Sequence, residues 1–112
     1  MSGPQRVYDT VGPDGAPDLT PQISDFVNCY DMDGINPKTI AWPTNANYCN
    51  IAGTANYWVA AAGQTAAVPA TADNTSGTGS ALNPAQRKRY HSETTFSIIS
   101  STAQFITVEF WN

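Results

Sequence analysis

The last nineteen residues constrain the fold more tightly than any other stretch. Between Thr94 and Asn112, the apolar residues Ile106, Val108 and Phe110 alternate with Phe105, Thr107, Glu109 and Trp111. Successive side chains of a strand point to opposite faces, so this period of two sends the first set into a core and the second outward. Phe96 and Ile98 repeat the pattern upstream, and the polar segment Ser100–Gln104 between the two arms is of hairpin-loop length. The sequence therefore predicts a β-hairpin at the end of the chain, with its last strand left as an exposed edge in an isolated monomer.

Composition extends that expectation to the whole molecule. Only 12% of the 112 residues are charged, while Thr, Ser, Asn, Ala, Gly and Pro are plentiful. Such a chain suits short strands joined by many turns and lacks the Glu/Lys/Leu richness of helical bundles. The expected fold is all-β, a small antiparallel β-sandwich or barrel over residues 22–112 with an extended N-terminal arm over residues 1–21. The formal net charge of −4 argues against a protein that holds nucleic acid, because neutralising phosphates needs a basic face. Met1-Ser-Gly-Pro-Gln-Arg6 leads into polar sequence, and no window approaches the roughly 20 apolar residues of a membrane span. Synthesis in the cytosol is expected, with no membrane partner.

Along the arm, Gly12–Pro21 holds three prolines and two glycines, which favour extended or turn backbone. An arm this polar buries too little surface to fold alone, and it is expected to lie across neighbouring subunits, with Pro13, Pro17 and Leu19 as contact residues. Ile23–Tyr30 fits a helix through Leu19, Ile23, Phe26, Val27 and Tyr30. It equally fits a strand with Ile23, Asp25, Val27 and Cys29 on one face, and the Asp-Gly turn that follows favours the strand. Asp31–Asn36 mimics the start of a calcium loop, but its twelfth position is Trp42 where a bidentate glutamate is required. Asp33-Gly34 is instead expected to be a two-residue hairpin turn. Trp42–Asn50 is expected as a polar loop, Thr54–Ala62 as a strand, Gly63-Gln64 as a turn and Thr65–Thr71 as an edge strand because it contains Pro69. Asp73–Ser80 is expected as a flexible loop, with Asn83-Pro84 opening a single helical turn.

Tests for chemistry return little. His91 is the one histidine, and no Gly-x-Ser-x-Gly elbow accompanies it. Two cysteines and one histidine fall short of a four-ligand zinc site. Cys29 and Cys49 are expected as two buried free thiols rather than a disulfide. No cofactor or metal is expected. Asp25, Asp31, Asp33, Glu93 and Glu109 supply carboxylates, but nothing in their spacing sets two across a cleft. Arg87-Lys88-Arg89-Tyr90-His91 is the one basic cluster, and in an acidic chain it is better suited to carboxylates on a protein than to nucleic acid. Of the three tryptophans, an outward one becomes an interface or sugar-stacking candidate. Trp111 qualifies by the alternation, and one of the neighbours Tyr57 and Trp58 must face away from the core.

From Trp58 onward the order of features is suggestive. Val59-Ala-Ala-Ala-Gly63 precedes Ala67-Val-Pro-Ala70; then come Asp73–Ser80, Leu82-Asn-Pro-Ala-Gln-Arg87 and a strand pair ending in aromatics. This half of the chain resembles small virion proteins of tailed bacteriophages, of the capsid decoration or cement kind. The resemblance implies an all-β fold, no catalytic residues, and a place on the capsid exterior, bound to the major capsid protein and to copies of itself. On that basis Arg87, Lys88 and Arg89 would supply electrostatic contacts, Trp58, Phe110 and Trp111 apolar ones, and the arm a clasp. Alternatives are a tail- or fibre-attachment subunit, a small carbohydrate-binding module, and a hydrolase centred on His91.

Overall fold

A computed structural model describes residues 23–112, which form eight strands. These are β1 (Phe26–Asp33), β2 (Lys38–Ala41), β3 (Tyr48–Gly53), β4 (Tyr57–Ala60), β5 (Ser80–Leu82), β6 (Gln86–Lys88), β7 (Thr95–Ser100) and β8 (Ala103–Trp111). They make two four-stranded antiparallel sheets, with orders β1-β8-β3-β6 and β2-β7-β4-β5. Strand 1 pairs with 8, 2 with 7, 3 with 6 and 4 with 5, as in a hairpin ribbon folded over on itself. That order is the jelly roll, a two-sheet solution to burying one face of every strand. The all-β sandwich expected from the sequence is therefore what forms. The arm expected over residues 1–21, with Pro13, Pro17 and Leu19, lies outside the described residues.

The C-terminal hairpin does not form. Strands β7 and β8 have the expected faces and extend into the Ser100–Gln104 stretch expected as a loop, but β7 pairs with β2 and β4 while β8 pairs with β1 and β3. The two-residue link Ser101-Thr102 turns a corner from one sheet to the other, fixed by Ser100 Oγ donating to the Thr102 carbonyl at 2.6 Å. Hairpin and corner bury the same alternate residues, so period two settles the face of a strand and leaves its partner open. The last strand is consequently central in its sheet, not the exposed edge that the sequence suggested. Asp33-Gly34 is also a corner and not a hairpin. The Asp33 Oδ1 accepts from the Ile35 and Asn36 amides at 2.8 Å each, and Gly34 has φ +82°. A Cβ on Gly34 would come within 2.8 Å of the Thr102 and Ala103 backbone, so the two corners meet where only glycine fits.

Between the sheets lie Met32, Ile40, Cys49, Ile51, Tyr57, Val59, Phe96, Ile98, Ile106, Val108 and Phe110. Trp42 closes one end, with its ring centroid 5.5 Å from Phe96 and 5.6 Å from Phe110. Local departures from expectation have local causes. Tyr48-Cys49-Asn50 belongs to β3 and not to the preceding loop, with Cys49 pointing inward beside Phe110. No helical turn forms at Asn83-Pro84. The Asn83 side chain accepts from the Tyr57 amide at 2.9 Å, its own φ is +50°, and the chain runs on into β6. Thr54–Asn56 form no strand: Gln104 Oε1 takes the Thr54 and Ala55 amides at 2.9 and 3.0 Å.

The expected edge strand over Thr65–Thr71 is replaced by a strap. Residues 61–79 leave β4 and cross the outer face of the β2-β7-β4-β5 sheet without joining a ladder. Serine side chains hold it instead: the Ala66 amide donates to Ser97 Oγ at 2.9 Å and the Ala67 amide to Ser80 Oγ at 3.2 Å. Ala66 is buried against Ala60 and Ile99, with Trp58 packed on the same cluster.

Candidate interaction surface

The two arginines of the basic cluster make their contacts within the fold. Arg87 pairs with Glu93 at 3.2 Å, its guanidinium lies 4.9 Å from the Phe96 ring centroid, and it donates to the Ala60 carbonyl. Glu93 also accepts the Trp42 indole N–H at 3.0 Å. Arg89 donates to the Glu93 carbonyl at 2.7 Å and to the Ala46 carbonyl at 3.3 Å. Both arginines thus close the end of the sandwich, and only Lys88 of the three stands exposed. Phe110 has no exposed surface, because the alternation that defines β8 sends it into the core. It cannot offer an apolar contact to a partner while the fold is intact. Trp58 is half-buried under the strap, and Trp111 half-buried at the end of β8.

Several of the groups able to do acid–base or nucleophilic chemistry are held in structural roles. Asp33 is held down to about pKa 2 by the amides of Asn36 and Ile35, which stabilise its carboxylate. Burial pushes the Cys49 thiol up to about 12. Burial also raises the Tyr57 phenol, whose hydroxyl donates to the Ile51 and Pro84 carbonyls. Asp25 accepts from the Asn112 amide and Glu109 from Ser24 Oγ. His91 is exposed, with φ +48°, and meets the Tyr90 ring edge-on at 4.2 Å. A cavity of about 250 Å³ beside the strap is lined by Pro37, Thr39, Gly63, Gln64, Thr65, Thr95, Phe96 and Ser97, all without ionisable side chains. Among the described residues no cluster of His, Cys, Asp or Glu is placed to hold a metal ion.

Both cysteines are free, as expected, but they are not both buried. Cys29 sits opposite Thr107 on the exposed side of β1, while Cys49 sits opposite Phe110 on the core side of β3. Strand β8 separates them, so their side chains stand on opposite faces of one sheet. No disulfide spans that geometry.

Among the described residues, no segment crosses the outer face of the β1-β8-β3-β6 sheet. Its cross-strand rows are Lys88, Tyr48 and Trp111; Gln86, Asn50, Glu109 and Val27; Ala52, Thr107 and Cys29; then Phe105 and Asp31. Phe105 is 64% exposed, Val27 52% and Tyr48 48%. The Tyr48 and Trp111 rings are stacked, centroids 5.5 Å apart and planes 7° off parallel. Each ring therefore spends one face on the other, which stiffens the pair against the sheet. Asp31 and Glu109 against Lys88 leave the face mildly acidic. Sequence reasoning reached Trp111 but missed Phe105, Val27 and Tyr48. Phe105 was legible as an outward position, whereas the exposure of Tyr48 depends on β3 starting inside an expected loop.

No helix among the described residues is long and apolar enough to cross a membrane. Comparison with family models, with curated proteins and with solved structures finds no significant match.

Proposed function

We propose that this protein is a structural virion subunit that decorates the outside of a tailed-phage capsid, docking on the major capsid protein lattice and reinforcing it. The observation that carries the proposal is the bare outer face of the β1-β8-β3-β6 sheet. Its exposed Phe105, Val27 and Tyr48 sit on a two-sheet scaffold. Large apolar side chains exposed on one sheet face fit a protein contact site. Two lines support the virion setting: the likeness of residues 58–112 to phage decoration proteins, and a strand order that recurs in viral capsid domains. The second is an analogy of fold alone. A mildly acidic face with aromatic rings at both ends fits an apolar lattice surface rimmed by lysine or arginine.

A mass-spectrometric inventory of purified particles tests this directly. A decoration subunit is present at a copy number near that of the major capsid protein. A handful of copies per particle assigns it to the tail or fibre base instead, and absence from the particle rejects the virion role.

A carbohydrate-binding module is the second reading, favoured by the Tyr48–Trp111 pair and by the recurrence of the jelly roll among lectins. A glycan array distinguishes it: binding that disappears with Tyr48→Ala, Trp111→Ala or Trp58→Ala supports sugar recognition.

A further inference from the structure

Sheet edges are managed unevenly among the described residues. Edge strands β5 and β6 have three residues each and β2 has four, whereas β1 has eight. Short edges present too few backbone groups to take up another strand, and a long one is a template for pairing. The hydrogen bonds of β8 show which groups of β1 are left over. The Trp111 carbonyl takes the Asn47 amide at 2.8 Å and the Phe110 carbonyl the Asp25 amide at 2.9 Å, so neighbours on β8 bond to opposite sides. Phe110, Val108 and Ile106 therefore turn towards β1, where they stand opposite Phe26, Asn28 and Tyr30. Val27 and Cys29 present their amides and carbonyls to the open side. Lys38 marks that side, its Nζ donating to the Asp31 carbonyl at 2.7 Å. Flanking these groups, Phe26 is 50% exposed on the inner face of the strand and Val27 52% on the outer.

We propose that the open edge of β1 pairs with β1 of a second copy of the chain, antiparallel and centred on Val27, to make a two-fold dimer; this goes beyond the capsid reading and is independent of it. Charge selects both the occupant and the register. Outward groups of two such strands meet when the pairing is centred on Val27, Asn28, Cys29 or Tyr30. Centred on Asn28, it sets Asp25 of each copy opposite Asp31 of the other; centred on Cys29, it sets Asp25 opposite Asp33. Like charges directly opposite are destabilising. Centred on Tyr30, it brings two Lys38 ammonium groups together beside the axis.

Centred on Val27, no two carboxylates are opposed: Asp25 falls opposite Cys29, and Asp31 opposite Ile23. The Lys38 ammonium, held at the Asp31 carbonyl, then stands diagonal to Asp25 of the other copy at each end of the pair. The apolar residues match themselves. Val27 meets Val27 on the outer side, exchanging both backbone bonds, and the half-exposed Phe26 rings meet diagonally across the axis on the inner side. An edge that carries its acid at one end, its cation at the other and its apolar pair at the axis is self-complementary, as a two-fold contact requires.

Sedimentation velocity of the full-length chain over a concentration series, under reducing conditions and without particles, tests the dimer. The expected result is a dimer that dissociates on dilution. Val27→Lys sets two lysines opposite each other, and Val27→Pro removes the outward amide without touching the β8 ladder. Both should be monomeric with wild-type circular dichroism, whereas Tyr48→Ala, two strands away on the docking face, should dimerise as wild type does. Register is read by oxidation on a non-reducing gel. Directly opposed residues of a bonded pair lie about 5.5 Å apart at Cα, within disulfide reach. Val27→Cys/Cys29→Ser should therefore give several-fold more reducible dimer than wild type, whose Cys29 faces Asp25. A wild-type chain that stays monomeric throughout overturns the proposal, as does a dimer that survives both Val27 variants or is lost in Tyr48→Ala. Cross-linking no greater than wild type overturns the register.

Discussion

Ile99 on β7 and Phe105 on β8 both point away from the core, one on each side of the sandwich, yet Ile99 is 6% exposed and Phe105 64%. The difference lies in what the chain does elsewhere. Residues 61–79 cross the β2-β7-β4-β5 sheet and bury Ile99 beneath Ala66, pinned through Ser97 and Ser80. Nothing among the described residues does the same for Phe105, Val27 and Tyr48. Among the described residues, one outer face has been turned into a second small core, and the other keeps its apolar side chains exposed. An apolar face that no described segment covers, on a molecule that covers its other side, is the physical basis for proposing it as the docking face.

The largest expected effect separates the two faces by stability. Ile99→Ala should cost about 2–5 kcal/mol, as for a buried large-to-small change, measured by denaturant unfolding. Phe105→Ala should stay within about 0.5 kcal/mol of wild type, as for an exposed position. Equal costs at the two sites would erase the distinction. Next, Ser97→Ala removes the hydroxyl that takes the Ala66 amide and should cost about 1 kcal/mol. It should also speed hydrogen exchange in residues 65–68 while leaving β8 unchanged.

Thiol chemistry sharpens the same contrast within one sheet. In the native protein one equivalent per chain should react quickly with a thiol reagent, at exposed Cys29, and a second only after unfolding releases Cys49. Burial holds Cys49 protonated up to about pH 12, so its contribution to stability is complete below its unfolded value near 9 and fades as the pH rises through 12. Two fast equivalents at neutral pH would contradict the assigned faces of β1 and β3. The smallest effect is at the corner. Asp33 is lowered from 3.8 to about 2, so its stabilising bonds are fully present above pH 4 and lost as the pH falls through 2. The melting-temperature difference between wild type and Asp33→Ala should shrink across that window and be flat above it.

Much of this was legible in the sequence, and its limits follow from what alternation encodes. Ile106, Val108 and Phe110 were readable as inward, and Phe105 and Trp111 as outward, because side-chain facing depends only on the strand's own period. The pairing of β7 and β8 was not, since a corner at Ser101-Thr102 buries the same residues as a hairpin. The strap was misread because Thr65–Thr71 has strand-like composition, while its amides go to serine hydroxyls far away in sequence. Arg87 and Arg89 read as surface charge because nothing local reveals Glu93, Ala46 and Ala60 as their partners. The same limit hid the exposed apolar face: Tyr48 and Val27 join Phe105 only once β1, β8 and β3 are set side by side.

The most direct measurement is co-sedimentation of the folded Phe105→Asp variant with particles stripped of the wild-type protein. The bare-face account predicts loss of attachment with an unchanged unfolding midpoint. Attachment as strong as wild type would show that the β1-β8-β3-β6 face is not where the protein docks.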